Sequence, residues 1–152
     1  MARRVHKHAE FAHPQALALL DPNVMATTAR DLMNSKLLYI SDGDRLVLAR
    51  RQILKFGVTA VPVLDDAHKP VGLVSLRDLS DDEDQIKVSS PVVCVRDTAT
   101  VQECAKIMTA GDLHHVVVTD ESGKAVGMLS ALDALRALIG EPPKHPAAFG
   151  NI

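Results

Sequence analysis

Aromatic residues and cysteines are scarce in this sequence. Its 152 residues include no Trp, one Tyr and three Phe, although hydrophobic residues make up 47% of the chain. The core must therefore be built from aliphatic side chains. A chain of this length forms one compact domain or two small halves that share a core. The two cysteines, Cys94 and Cys104, do not form a CxxC pair. Their apolar or helical surroundings predict buried, reduced thiols, which agrees with a cytoplasmic location.

Strong net charge, long apolar runs and catalytic motifs are also lacking. The formal net charge is −2, so no large basic field favours nucleic acid as a partner. No apolar stretch approaches the length of a membrane span. The sequence contains no P-loop, Gly-x-Gly-x-x-Gly, His-Glu-x-x-His or nucleophile elbow. His6, His8 and His13 lack a carboxylate partner in register, so we expect no metal site. The sequence places no acid–base pair together and lacks these catalytic motifs, so we expect no enzymatic activity.

An internal repeat organises the chain. Residues 35–78 align without a gap on residues 90–133, at a constant offset of 55 positions. A repeat of this length indicates a supersecondary unit that is used twice, each copy burying its apolar face against the other. Both copies end in the pattern Gly-x-x-Ser-x-x-Asp, formed by Gly72, Ser75 and Asp78 and by Gly127, Ser130 and Asp133.

Each unit predicts the element order strand, helix, strand, strand, helix. Short apolar runs at 37–40 and 92–95 predict the first strands. β-branched runs at 61–64 and 71–74, joined by a polar turn, predict a hairpin that recurs in the second unit. The first strand should lie parallel to the strand after the helix, through a right-handed crossover.

Helix boundaries are predicted from capping residues. Asp44 and Gly57 should bound the first helix of unit one, whereas a capping box at Thr100 and a stop at Gly111 should bound that of unit two. The final helix of each unit should begin at the serine of the repeated pattern, and the last one should end at Gly140.

These elements divide the chain into five segments. The prediction is an N-terminal extension over 1–27 with a short helix at 14–20, repeat one over 28–79, an acidic linker over 80–85, repeat two over 86–139 and a disordered tail over 140–152.

The doubled pattern resembles the CBS (cystathionine-β-synthase) domain. The resemblance rests on residues 57–65 with 70–79, on 113–120 with 125–133, and on the lead-in 29–33, and it covers about residues 28–139. It implies an α+β or α/β fold of two βαββα repeats, packed through their sheets with pseudo-twofold symmetry as a Bateman module. Such modules often pair into a homodimer.

The resemblance also implies a regulatory function. Clefts between CBS repeats commonly bind AMP, ADP, ATP or S-adenosylmethionine as a regulatory ligand rather than as a required cofactor. The expected output is to a separate, unknown protein, with no nucleic acid and no membrane involved. The alternative is an interaction or scaffold pair that has no physiological nucleotide ligand, because a fold alone does not establish a function.

The repeated Ser-x-x-Asp motif is the centre of the predicted site. A serine at a helix start places its hydroxyl beside free backbone N–H groups, an environment that favours phosphate. An aspartate three residues later can accept hydrogen bonds from ribose hydroxyls. The same motif is also a helix-capping arrangement, which explains it about equally well, and the two roles can coexist.

The family pattern implies composite clefts between the repeats. One cleft is expected to combine Ser130 and Asp133 with Leu38, Val58, Thr59 and Ala60, and the other to combine Ser75, Arg77 and Asp78 with Val93, Leu113, His114 and His115. The basic side chains of the second set lead us to expect the more anionic ligand in the cleft with Asp78. The alternative, equally open, is that the histidines are ordinary strand-end residues. Val117 replaces Pro62 in repeat two, so occupancy of both clefts is not assumed.

Overall fold

A computed structural model describes residues 22–79 and 88–145 of the chain. It confirms two small mixed units, each with a three-stranded sheet and helices. The predicted helix over 14–20 and the acidic linker over 80–85 lie outside the described residues. Two short helices, α1 (Pro22–Ala26) and α2 (Ala29–Leu32), precede the first strand.

Repeat one forms the sheet β1-β2-β3. Its elements are β1 (Ile40–Ser41), α3 (Val47–Phe56), β2 (Ala60–Leu64), β3 (Pro70–Ser75) and a 3₁₀ turn (Leu76–Asp78). Strands β1 and β2 are parallel and β2 and β3 antiparallel, as the sequence predicted. Gly57 ends α3 with a φ of 63°, a left-handed conformation that glycine adopts without steric cost.

Repeat two forms the sheet β4-β5-β6 with the same pairing directions. Its elements are β4 (Cys94–Arg96), α4 (Val101–Ala110), β5 (His115–Thr119), β6 (Ala125–Ser130) and α5 (Ala131–Leu138). The predicted capping box is present, since the Glu103 carboxylate accepts from the Thr100 N–H at 2.7 Å and the Thr100 hydroxyl accepts from the Glu103 N–H.

Three local predictions differ from the structure. Strands β1 and β4 begin later than the apolar runs suggested, because the first residues of those runs, such as Leu38 and Val93, line clefts instead. Asp44 does not cap α3; it accepts a hydrogen bond from the Ser41 N–H, and Leu46 stands at the helix start. Within the described residues, the last element of repeat one is a single 3₁₀ turn rather than a helix.

The core is aliphatic, as the scarcity of aromatic residues required. Val61, Val74, Val116 and Leu129 are fully buried at the centres of the two sheets. Ala29 and Leu32 of α2 belong to the core of repeat two although they lie at the start of repeat one in sequence. The residues that lead into each repeat, around Asn34 and around Ser89, are called its lead-in segment, and each lead-in segment contacts the other repeat.

Both lead-in segments pair with the opposite sheet. Backbone bridges join Asn34 to Met128 and Ser89 to Leu73, positions that are related by the 55-residue offset. Gly127 and Gly72 make this approach possible: a Cβ on Gly127 would lie 2.6 Å from the Met33 sulfur, and one on Gly72 would collide with Val88. The glycine of the repeated motif is therefore required for the close packing of the lead-in segment against the sheet.

Candidate ligand-binding clefts

Two clefts lie where the repeats meet, each built around one copy of the Ser-x-x-Asp motif. The Asp133 cleft has a volume of about 210 Å³ and is lined by Asn34, Lys36, Leu37, Leu38, Gly57, Val58, Thr59, Ala60, His115, Met128, Ser130, Leu132, Asp133, Arg136, Lys144 and His145. Repeat one supplies its apolar wall, and repeat two supplies the carboxylate.

The Asp78 cleft is larger, with a volume of about 600 Å³. It is lined by Thr59, Leu73, Ser75, Leu76, Arg77, Asp78, Ser89, Pro91, Val92, Val93, Asp112, Leu113, His114, His115, Ser130, Ala131 and Leu132. Pockets for small organic ligands usually measure about 300–1,000 Å³. The Asp78 cleft lies within this range, whereas the Asp133 cleft is below it.

The structure groups the sequence-predicted residues as expected. Leu38, Val58, Thr59, Ala60, Ser130 and Asp133 line the first cleft, and Ser75, Arg77, Asp78, Val93, Leu113, His114 and His115 line the second. Thr59, His115, Ser130 and Leu132 line both, so the two clefts share a wall. Ligand binding by these residues stays a prediction.

Asp133 is buried, and both oxygens of its carboxylate accept hydrogen bonds. Its Oδ2 accepts from the Ser130 hydroxyl at 2.8 Å, and its Oδ1 accepts from Arg136 Nη1 at 2.9 Å and from the Lys144 backbone N–H at 3.0 Å. The Asp133 side chain is 8% exposed. Ser130 also caps α5, accepting from the Asp133 N–H at 3.1 Å.

Asp78 is partly exposed and only half engaged. Its Oδ2 accepts from the Ser75 N–H and from the Ser75 hydroxyl, both at 2.7 Å. Among the described residues, its Oδ1 accepts no hydrogen bond. Asp78 therefore combines a capping oxygen with a second oxygen that has no hydrogen bond from the described residues.

A hydrogen bond separates the clefts: His115 Nε2 lies 2.6 Å from Thr59 Oγ1. Burial is the main cause that lowers the pKa of His115, and the neighbouring His114 lowers it further, while Asp133 acts in the opposite direction. His114 is exposed and lies within 3.4 Å of Arg77. His115 is thus a neutral hydrogen-bonding group of the shared wall near pH 7.

The charges of the clefts contradict the expectation that the Asp78 cleft is the more cationic. Arg77 is the single Lys or Arg among its lining residues, against the acids Asp78 and Asp112. The Asp133 cleft contains Lys36, Arg136 and Lys144 against one acid. These cations come from three segments that are separate in sequence, so only the folded structure brings them together.

Lys36, Arg136 and Lys144 were missed in the sequence reasoning. Arg136 lies three residues after Asp133, a spacing that places both on one helix face and could have identified it. Lys144 had no such signal, because the sequence placed it in a disordered tail. The structure corrects that prediction for residues 141–145, where the Lys144 backbone contacts Asp133; residues 146–152 lie outside the described part.

Neither cysteine has the lowered pKa of an activated thiol. Cys104 is buried, and burial raises its pKa to about 11, while partial burial also raises the pKa of Cys94. Over 22–79 and 88–145, no group of His, Cys, Asp and Glu could hold a metal ion. In the same ranges, every helix is too short or too polar to cross a bilayer.

Comparison with known proteins agrees with this architecture. The family model of the CBS domain matches residues 29–82 and 84–140. A homoserine O-acetyltransferase from Methanosphaerula palustris is 30% identical over 124 residues, which are 77% of this chain and 25% of that protein. A 17.7 kDa protein from Acidianus ambivalens is 23% identical over 135 residues, 84% of this chain and 80% of that protein. The chain thus spans about a quarter of the acetyltransferase.

Solved structures with the same fold contain adenosine ligands. CBSX2 in complex with AMP has a TM-score of 0.64 at 21% identity, covering 75% of this chain and 97% of that one. The CBS domain of a bacterial CNNM/CorC family Mg²⁺ transporter, in complex with ATP, has a TM-score of 0.65 at 21% identity and covers 78% and 92%. The CBS domain pair of MJ0100, with 5′-methylthioadenosine and S-adenosyl-L-methionine, has a TM-score of 0.65 at 19% identity and covers 76% and 98%.

Proposed function

The chain belongs to the CBS domain family, and from that premise we propose that it is a regulatory module that binds an adenosine ligand in its Asp78 cleft. One observation carries the proposal: a cleft of about 600 Å³ holds a carboxylate whose Oδ1 accepts no hydrogen bond from the described residues. A ribose hydroxyl can donate to such an oxygen. Val93 and Leu113 offer apolar surface for the base.

The charge of the cleft favours a particular kind of adenosine ligand. Asp78 and Asp112 disfavour a triphosphate, because Arg77 alone opposes their repulsion. A ligand with little negative charge, such as 5′-methylthioadenosine or the cationic S-adenosylmethionine, fits better than ATP. The regulatory role implies no catalytic step for this chain.

The output of binding is proposed to be a change in how the repeats are arranged. Ser75 and Asp78 come from repeat one, whereas Leu113 and His115 come from repeat two, so a ligand there contacts both. A ligand that binds one arrangement better increases its population. A separate regulated protein would recognise that arrangement.

We also propose that the module acts as a homodimer. Leu132, Leu135 and Ile139, on α5 and at its end, are 55%, 58% and 72% exposed. Leu135 also borders an apolar groove between α4 and α5, together with Met108 and Leu138. Contiguous apolar surface of this kind indicates a protein interface.

Thermal unfolding with each of four ligands tests the binding proposal. The ligands are 5′-methylthioadenosine, S-adenosylmethionine, AMP and ATP. At 100 times its dissociation constant, a ligand that binds only the folded state adds about 2.7 kcal/mol, which is about 5–11 °C for a chain of this size. We expect the first two ligands to bind most tightly.

Asp78→Asn identifies the cleft. The substitution keeps the side-chain shape but removes the charged acceptor, so we expect about a tenfold loss of affinity. Asp66→Asn is the matched control, since it removes the same charge from an exposed residue of the β2–β3 turn. If none of the four ligands stabilises the wild type, the scaffold alternative replaces this proposal. If ATP binds best and Asp78→Asn abolishes its binding, the charge argument is wrong.

A further inference from the structure

The two motif aspartates differ in what occupies their carboxylates. Asp78 lines its cleft and uses one oxygen for capping, while its other oxygen accepts no hydrogen bond from the described residues. Asp133 has both oxygens engaged, and one of its donors is the Lys144 backbone N–H, eleven residues later in the chain. Oδ1 already accepts two hydrogen bonds, so a ribose hydroxyl that donates to this oxygen must displace one of its donors. The C-terminal segment 141–145 thus occupies the position that a ligand would take.

Local geometry directs this segment back to Asp133. The Gly140 N–H donates to the Ala137 carbonyl at 3.1 Å and the Glu141 N–H to the Arg136 carbonyl at 2.8 Å. With Gly140 at a φ of 80°, these bonds form a Schellman motif that reverses the chain after α5. Pro142 and Pro143 follow, and their fixed φ angles lower the conformational entropy lost when the segment docks.

The volumes of the clefts agree with occupation by this segment. The Asp133 cleft measures about 210 Å³ and the Asp78 cleft about 600 Å³, although the repeats are related in sequence and fold. Lys144 and His145 line the smaller cleft. Ser89 is eleven residues after Asp78, as Lys144 is after Asp133, and it lines the larger cleft, but its N–H donates to the Leu73 carbonyl and not to Asp78.

We propose that the Asp133 cleft is an intramolecular binding site for residues 141–145, and that an adenosine ligand reaches Asp133 only by displacing the Lys144 backbone. This inference rests on the proposed function, because it assumes that the motif aspartate can bind ribose. The ligand class differs between the clefts. Lys36 and Arg136 remain at the Asp133 cleft when the segment leaves, so this cleft takes a phosphorylated adenosine such as AMP.

Ligand binding at this cleft therefore has a second consequence. Each AMP that binds there releases the C-terminal segment from the body of the protein. The released segment becomes accessible to proteases and to other proteins, which couples occupancy of the cleft to a change at the surface.

The experiment measures AMP affinity in an Asp78→Asn background, which weakens binding at the other cleft. A chain that ends at Gly140 lacks the competitor, and Lys144→Pro removes the donating N–H while keeping the segment. Lys144→Ala is the matched control, because it keeps the backbone N–H and removes the ammonium with the methylene chain that carries it. A hydrogen bond to a charged group corresponds to roughly a tenfold to hundredfold change in a binding constant.

We expect the truncation and Lys144→Pro to tighten AMP binding by about that factor, and Lys144→Ala to change it by less than about threefold. Hydrogen exchange of the Lys144 amide is a second measurement, and its first part is made on the protein without ligand. The Lys144 amide should be protected without AMP and should lose protection when AMP is added.

The possible failures are distinguishable. Weaker AMP binding by the truncated chain would show that the segment is a lid that contacts the ligand, and unchanged binding would show that it does not compete; either result overturns this inference alone. An unprotected Lys144 amide in the absence of AMP also overturns it. If no variant binds AMP, and the wild type binds none of the four adenosine ligands, the proposed function fails and this inference fails with it.

Discussion

The exchange of lead-in segments makes Gly127→Ala a strong test of the architecture. A Cβ at position 127 would lie 2.6 Å from the Met33 sulfur, 2.8 Å from its Cγ and 2.9 Å from the Asn34 carbonyl oxygen. The Met33 side chain is flexible and can move. The Asn34 oxygen belongs to the backbone, so the lead-in segment itself must shift away from β6.

The cost of that shift can be worked from the contacts it disturbs. Asn34 and Met128 exchange two backbone hydrogen bonds, at 2.8 and 3.2 Å, each with a net contribution of about 0.5–1.5 kcal/mol. Overpacking a close-packed contact typically costs about 1–3 kcal/mol. These costs overlap, so we expect Gly127→Ala to lower the free energy of unfolding by about 2–3 kcal/mol, or the Tm by about 4–12 °C.

Urea unfolding of wild type and variant measures this change. Gly57→Ala is the comparison, because nothing lies within 4 Å of its added Cβ and its cost comes only from the left-handed φ of 63°, about 1–2 kcal/mol. Unfolding free energies of Gly127→Ala and wild type that agree within about 0.5 kcal/mol would refute the close approach of the lead-in segment to β6.

Two further predictions concern the shared wall and the exposed helix. Because the pKa of His115 is lowered in the folded protein, the unfolded chain binds a proton more readily, and the free energy of unfolding should fall as the pH drops below about 6.5. We expect His115→Gln to reduce this fall, as measured by urea unfolding at pH 7.5 and 5.5. Equal falls in the variant and the wild type would contradict the lowered pKa of His115. Leu135→Glu should make the proposed dimer monomeric in light scattering without loss of folded structure, because Leu135 is 58% exposed. A wild type that is itself monomeric would rule out the dimer proposal.

Much of the fold could be predicted because its signals are local. Hairpin strands, the capping box at Thr100 and the stops at Gly57 and Gly111 depend on residues close in sequence. The 55-residue offset then transferred each element from one repeat to the other. The grouping of the two halves of each cleft came from the resemblance to the CBS family and not from the repeat alone.

The places where the prediction failed depend on contacts between distant residues. Leu38 and Val93 have the apolar character of strand residues, yet they lie before the strands begin, where the cleft walls need apolar surface. Asp44 has the side chain of an N-cap, but its carboxylate bonds to Ser41 instead. Local propensity cannot decide between such partners, because the energies that separate them are about 1 kcal/mol.

The sequence by itself determined the repeat, the order and direction of the strands, the family and the two aspartates at the centre of the clefts. Only the tertiary structure decided how those clefts differ. The charge of the Asp133 cleft comes from Lys36, Arg136 and Lys144, which three separate segments contribute, and its carboxylate is occupied by a chain reversal after Gly140. Two copies of one motif therefore acquire different surroundings, because electrostatics and hydrogen bonding act through space and not along the chain.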